Sequence, residues 1–211
     1  MEGSVKEQIL REATRRFAEH GFDGTSLQDI ADSVGIRKPS LLYHYPSKDD
    51  LRREVLDGAL SRWNDVLPRV LMAAARDERL DAVLTELITF FADDPDRARL
   101  LVREILDRPD DMRDRLRTFV RPWLQVVARQ MDRAKEQGLI HHDVDPEAYP
   151  ALVINLVVCG IAMAETAGTM VPSGTGDRSD HKRLLREMFR IARASLYLPQ
   201  ASTTKAGESS A

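Results

Sequence analysis

Three side chains that can hydrogen-bond or stack share one face of a short segment between Pro39 and Pro46. Ser40, Tyr43 and His44 recur at i, i+3 and i+4, the spacing of neighbours on one side of a helix. Pro39 suits the first turn of a helix, and Pro46 ends it. A polar and aromatic helix face fits the major groove of DNA, where side chains bind the edges of bases. The segment therefore predicts a helix that reads DNA.

The residues before this segment predict another helix that ends in a tight turn. Thr25, with Gln28 three positions later, matches a capping box at a helix start. Gly35 can adopt the left-handed conformation that ends a helix without a Cβ clash. Between them, apolar residues recur at helical spacing: Leu27, Ile30, Ala31 and Val34. The two segments together predict a helix-turn-helix.

Positive charge gathers near this motif although the chain as a whole is acidic, with a formal net charge of −3. Ser47 and Asp50 predict the cap of the next helix, with Lys48 beside its start, where a cation and free N–H groups can bind a phosphate. The cations of residues 37–53 are Arg37, Lys38, Lys48, Arg52 and Arg53. Because the distribution of charge matters more than its sum, this stretch predicts a phosphate-binding surface.

The stretch from about Val5 to Ala59 resembles the DNA-binding domain of the tetracycline-repressor (TetR) family. The residues that carry the resemblance are Phe17, Gly21, Phe22, Thr25, Ile30, Ala31, Gly35, Tyr43, Tyr45, Pro46, Ser47, Lys48 and Leu51. The rest of the chain resembles the family in length and all-helical character only. One position departs from the pattern: the family usually has a tyrosine where this chain has Leu42, and here the aromatic residue comes one position later, about 100° further around a helix.

The predicted DNA-binding residues are Thr25, Ser26, Gln28, Arg37, Lys38, Pro39, Ser40, Tyr43, His44 and Lys48. Contacts at the starts of two helices, by Thr25 or Ser26 and by Lys48, position the protein on phosphates. The side chains of Gln28, Lys38, Ser40 and Tyr43 read bases, and Pro39 can contact a thymine methyl. Other roles stay open: Gln28 can be occupied in the cap, Ser40 can be solvated, Tyr43 can pack on the domain, and His44 can pack or donate to a phosphate.

The composition predicts an all-α fold, and the motif together with the resemblance implies an N-terminal three-helix helix-turn-helix domain and a C-terminal helical domain, with about nine helices in all. The 211 residues are 43% hydrophobic, 31% charged and 6% aromatic. The N-terminus is charged and the apolar run from Ala151 to Ala164 is short, so we expect neither a secretory signal nor a membrane span. With a single cysteine, Cys159, a cytoplasmic location is expected. The predicted domains are residues 1–58, 59–198 and a disordered tail, 199–211.

Periodic apolar residues and Pro or Gly breaks place the helices outside the motif. The first runs from about Val5 to His20, and the fourth from Ser47 past Trp63 to a kink or end at Pro68. The later helices are expected at about 80–91, 97–106, 112–137, 145–169 and 181–198. The last two are rich in apolar residues. The resemblance implies that they pair with a second copy as a four-helix bundle; the alternative is that their own domain covers them.

Large apolar residues of the second domain could surround a small molecule. They are Trp63, Phe90, Phe91, Phe119, Trp123 and Met163. The alternative is an ordinary core; the resemblance implies an apolar or amphipathic effector. Neither a cofactor nor a metal is expected, since adjacent His141 and His142 lack the i, i+4 spacing that brings two histidines to one ion.

Three functions remain open at this point. The first is a homodimeric repressor that binds a palindromic double-stranded DNA operator and is released by a small ligand. The second is a ligand-blind DNA-binding regulator whose C-terminal domain only dimerises. The third is a helical enzyme that uses Glu104 or Glu165, although no phosphate loop or nucleophile motif supports it.

Overall fold

The computed structural model describes residues 4–62, 81–172 and 178–198, and within these ranges the chain forms helices without any strand. The all-α prediction is confirmed. In chain order the eleven helices of the described residues are α1 (Val5–His20), α2 (Leu27–Val34), α3 (Lys38–His44), α4 (Lys48–Ser61), α5 (Asp81–Ala92), α6 (Pro95–Asp107), α7 (Pro109–Phe119), α8 (Arg121–Glu136), α9 (Ala148–Ala162), α10 (Ala164–Gly168) and α11 (Arg178–Leu196). Trp63, Pro68 and the tail from Pro199 lie outside the described residues.

Two segments predicted as single helices are each divided. Residues 112–137 break at Val120, because Pro122 lies in the first turn of α8 and cannot donate a helical hydrogen bond. Residues 145–169 begin helically only at Ala148, after the Asp145 carboxylate accepts N–H groups in an Asx-type turn, and they break again at Met163.

Helices α1–α4 form the N-terminal head, built around the apolar face of α1. Ser4 and Glu7 form a capping box at the start of α1. Ile9, Ala13 and Phe17 are buried at helical spacing on its inner face. This face packs against α2, α4 and also α6. The head is therefore in direct contact with the remainder of the chain.

Helix α6 lies between the head and the apolar helix α9. Ala98, Leu100 and Leu101 are buried on α6, and Val153 and Val157 on α9. Both sets belong to one continuous core that also includes the inner residues of the head. Since packed cores do not deform continuously, a displacement of α6 must be accommodated by the head.

Helices α9 and α11 also pack together. Gly160 of α9 lies against the Met188 side chain of α11, whose sulfur would have to move if a Cβ were added at this position. Among the described helices, none combines the length and the apolar character that crossing a membrane requires.

Candidate nucleic-acid interface

Helices α2 and α3 form a helix-turn-helix whose turn is set by a glycine. The Ser26 hydroxyl caps α2 by accepting the Asp29 N–H at 3.1 Å, and the Asp29 carboxylate accepts the Ser26 N–H at 3.3 Å. Gly35 ends α2 with φ 75° and ψ 26°, a left-handed conformation that favours glycine. Helix α3 follows Arg37, with Pro39 in its first turn.

The predicted capping box of Thr25 with Gln28 is wrong by one residue. Thr25 is only 3% exposed. Its hydroxyl donates to the carbonyl oxygen of Gly21 at 2.8 Å and to that of Arg16 at 3.1 Å. Because this hydroxyl is used inside the head, Ser26 provides the cap instead. The Thr25 N–H also donates inside the head, to the Phe22 carbonyl oxygen at 3.2 Å. A phosphate contact by Thr25 stays a prediction that the structure does not favour, whereas Ser26 is exposed.

The outward face of α3 carries a large, uncovered aromatic residue. Tyr43 is 86% exposed, whereas Leu41 on the opposite side is fully buried. The Tyr43 ring meets the His44 ring edge-on, with centroids 5.5 Å apart. The other predicted base-reading or phosphate-binding residues of this helix, Lys38, Pro39, Ser40 and His44, are also exposed. An exposed aromatic on a polar helix face is typical of a surface that binds a partner.

The start of α2 and the turn after it add further polar groups. Ser26, Gln28 and Arg37 are exposed. The Gln28 side-chain nitrogen donates to the Asp32 carboxylate at 2.7 Å. Gln28 must exchange or share this bond to read a base.

Lys48 begins α4, directly after the cap residue Ser47, whose hydroxyl accepts the Asp50 N–H at 3.0 Å. The Lys48 ammonium is 4.2 Å from the centre of the Phe22 ring. A cation beside the N-terminal end of a helix is an arrangement that favours an anion such as a phosphate.

Two of the five predicted surface cations are bound to carboxylates. Arg52 is 5% exposed; its Nε donates to Glu104 at 2.8 Å and its Nη2 to Asp111 at 2.7 Å. Burial disfavours the charged form, but hydrogen bonds to the two carboxylates outweigh it and raise the pKa of Arg52. Arg53 pairs with Asp50. The prediction that Arg52 contributes to the phosphate-binding surface is wrong, because Arg52 is buried against α6, where it pairs with Glu104.

Arg52 belongs to a set of polar contacts between the head and helices α6 and α7, which we call the interdomain seam. Arg103 of α6 donates to the carbonyl oxygens of Ala18 at 2.9 Å and Glu19 at 3.0 Å, in the last turn of α1. Arg115 of α7 pairs with Asp57 of α4. Sequence reasoning missed the seam, because its partners lie more than 50 positions apart and no local pattern links them.

The residues predicted to bind a small molecule have different environments. Phe91 and Trp123 are buried, Phe90 and Phe119 are half-buried, and Met163 is 53% exposed. The described residues outline a cleft of about 940 Å³ elsewhere, between α1, α4 and the start of α6. None of these five described residues lines that cleft, whose lining includes Leu10, Arg11, Val55, Arg62 and Arg97.

The helix-turn-helix, with its exposed reading face and adjacent cations, defines a DNA-binding protein of the helix-turn-helix class. Residues 9–55 match the family described as bacterial regulatory proteins, tetR family. Residues 98–175 match the tetracyclin repressor-like C-terminal domain. Together the two matches span more than half of the chain. The chain belongs to the TetR family of DNA-binding transcriptional regulators, as its N-terminal motif predicted.

Individual relatives agree with this assignment. The biofilm operon icaADBC negative transcriptional regulator IcaR of Staphylococcus epidermidis is 40% identical over 65 residues, which is 31% of this chain and 35% of that protein. The IcaR of Staphylococcus aureus strain Newman is 24% identical over 136 residues, 64% of this chain and 72% of that protein. A transcriptional regulator structure from Saccharomonospora viridis, in complex with choline, has a TM-score of 0.67 at 18% identity and covers 94% of this chain and all of that one.

Proposed function

We propose that this regulator is a homodimeric repressor that binds a palindromic operator in the cytoplasm and is released by a small apolar or amphipathic ligand. The observation that carries the DNA-binding surface is Tyr43, which is 86% exposed on α3 beside exposed Lys38 and Ser40. The two staphylococcal relatives are negative transcriptional regulators, and we extend that role to this chain.

A variant pair separates base reading from phosphate binding. The probe is a DNA duplex that the wild-type protein selects from a random-sequence pool. The dissociation constant of each protein for this duplex is measured by fluorescence anisotropy at a series of salt concentrations. Tyr43→Ala should reduce the preference for this duplex over a scrambled one by about 10-fold or more, the usual worth of a good base contact. Lys48→Ala should weaken binding to both duplexes alike. It should also lower by about one unit the salt slope, which is the slope of log affinity against log salt concentration.

Arg113→Ala is the matched control for the lost charge, because Arg113 is an exposed cation of α7 that pairs with Asp110 three positions earlier on the same helix. Its salt slope should equal that of the wild type. A Tyr43→Ala protein with unchanged sequence preference, or a Lys48→Ala protein with an unchanged slope, contradicts the corresponding assignment.

Dimerisation is supported by apolar side chains that the monomer leaves exposed on the last long helices. Leu152 is 66% exposed and Leu156 is 37% exposed, one helical turn apart on α9, and Ile191 of α11 is 47% exposed. Two copies paired along α9 and α11 would bury these residues and hold two α3 helices about 34 Å apart, the spacing of half-sites one DNA turn apart.

Charge placed in this surface tests the dimer. Leu152→Glu with Leu156→Glu should convert the protein to a monomer in sedimentation velocity and weaken binding to the palindrome, while a single half-site is bound as before. An unchanged dimer would show that another surface joins the copies.

The proposed effector is a small apolar or amphipathic compound that binds in the C-terminal domain. Its support is that Phe91 and Trp123 are both buried in the C-terminal domain, and that the Saccharomonospora viridis structure contains choline. Apolar and amphipathic compounds should raise the melting temperature and lower operator affinity, and Trp123→Ala should abolish both responses. A library that produces neither response would support the ligand-blind alternative.

No observation favours the enzyme alternative. The carboxylates it would use, Glu104 and Glu165, form ion pairs with Arg52 and Arg99.

A further inference from the structure

One aromatic ring in the head contacts cations from both domains. Phe22 follows Gly21 at the end of α1 and packs beside Phe17, with ring centroids 5.8 Å apart. Lys48 of α4 places its ammonium 4.2 Å from the centre of the Phe22 ring. Arg108, from the junction of α6 and α7, places its guanidinium carbon 4.1 Å from the same centre. The ring is therefore shared between the phosphate-binding lysine and an arginine of the C-terminal domain.

The contact with Phe22 restricts Lys48 without neutralising it. The negative face of an aromatic ring attracts a cation, and the attraction leaves the N–H donors that point away from the ring available to an acceptor. No carboxylate forms an ion pair with Lys48 among residues 4–62, 81–172 and 178–198 that the structure describes. A lysine has a flexible four-carbon stem, so a ring that orders it reduces the entropy lost when it binds a phosphate.

Arg108 is the residue that joins α6 to α7, with φ −139° and ψ 63°. Its Nη1 is buried without a hydrogen-bond partner in the described part of the chain, and Glu104 is 4.0 Å away. The Phe22 ring is thus a close contact of this guanidinium. A change in the angle between α6 and α7 must move Arg108 relative to Phe22.

We propose that Phe22 is the positioning residue for the phosphate contact of Lys48, and that Arg108 sets the position of this ring from the C-terminal domain. The inference rests on the proposed DNA contact of Lys48. In this arrangement a shift at the α6–α7 junction alters where the Lys48 ammonium lies, and so alters DNA affinity.

The test is a double-variant cycle read as a salt slope. Phe22→Leu keeps an apolar side chain but removes the ring, and Phe22→Tyr keeps the ring. On the duplex recovered from the random pool, Phe22→Leu should bind about 3- to 10-fold more weakly and lose most of the slope of about one unit that Lys48→Ala loses. Phe22→Tyr should restore the wild-type slope. The combined Phe22→Leu and Lys48→Ala protein should bind no more weakly than Lys48→Ala alone, since the two changes remove one contact.

Arg108→Met tests the contribution from the C-terminal domain, with Arg113→Met of α7 as its control. Arg108→Met should weaken binding about 2- to 5-fold in the wild-type background and have no effect in the Phe22→Leu background, whereas Arg113→Met should have no effect in either. Circular dichroism melts identify variants that fail to fold. If Phe22→Leu fails, Arg108→Met still decides the question in the wild-type and Lys48→Ala backgrounds, because it should weaken binding in the first and have no effect in the second.

Other outcomes overturn the inference in distinguishable ways. If Lys48→Ala lowers the slope but Phe22→Leu does not, or if their effects add in full, the positioning role is wrong and the DNA contact stands. If Lys48→Ala leaves the slope unchanged, the proposed phosphate contact itself is wrong, and the positioning role is overturned with it.

Discussion

Replacing Glu104 by glutamine should weaken the fold more than any loss of a surface ion pair. Glu104 is 3% exposed and accepts two hydrogen bonds from Arg52, which is itself 5% exposed. Removing one partner of a buried pair costs about 3–5 kcal/mol, because the other charge stays buried. Asp111 still accepts from Arg52 at 2.7 Å, so we expect the lower end, about 3 kcal/mol. For a chain of this size that corresponds to a fall of about 6–12 °C in melting temperature.

Urea unfolding at fixed protein concentration measures this loss. The matched control is Asp114→Asn, because Asp114 pairs with Arg117 on the surface of α7 and its loss should cost less than about 1 kcal/mol. The double variant Arg52→Met with Glu104→Met should regain most of the stability, since neither charge then remains buried. A Glu104→Gln protein within about 1 kcal/mol of the wild type would refute the reasoning.

Three further predictions concern the head and the interdomain seam. Tyr45→Phe should leave the free energy of unfolding unchanged or raise it by up to about 1 kcal/mol in thermal melts, because the buried Tyr45 hydroxyl has no hydrogen-bond partner in the described residues; a clear loss would indicate one. Burial tends to raise the pKa of Asp111, but hydrogen bonding to Arg52 and the charge of Arg115 outweigh it and hold the pKa below its usual 3.8. The stabilisation from the Asp111 carboxylate should therefore be complete above about pH 4 and lost as the pH falls through the lower pKa of the folded state. When the free energy of unfolding is measured in urea at a series of pH values, the difference between wild type and Asp111→Asn should disappear in acid. A difference that stays constant with pH would contradict this. Gly35→Ala should cost about 1–2 kcal/mol, because φ 75° is strained for alanine although a Cβ has open space there, and Gly35→Asn should cost less in the same melts.

Local signals predicted the head well. The bounds of α1, the left-handed glycine after α2 and the proline in the first turn of α3 each depend on residues a few positions apart. The capping box failed for a tertiary reason. Thr25 with Gln28 and Ser26 with Asp29 both satisfy the local pattern, and only the burial of the Thr25 hydroxyl against Gly21 decides between them.

Contacts between distant segments were not predictable in the same way. Arg52 has the appearance of a surface cation until α6 brings Glu104 against it. No local pattern gives Phe22 a role beyond the family resemblance, since the cations around its ring come from α4 and the α6–α7 junction. The exposed reading face of α3, by contrast, follows from the amphipathic period of one short helix.

The hydrogen bonds from Arg103 to the last turn of α1 limit how freely the head of this protein can be exchanged between regulators. A helix end presents carbonyl oxygens that need donors, and at Ala18 and Glu19 those donors belong to another domain. A chimera that grafts this head onto the body of a different regulator would leave these carbonyls without the arginine and Arg52 without Glu104. Functional hybrids should therefore require that residues 103 and 104 be transplanted together with the head.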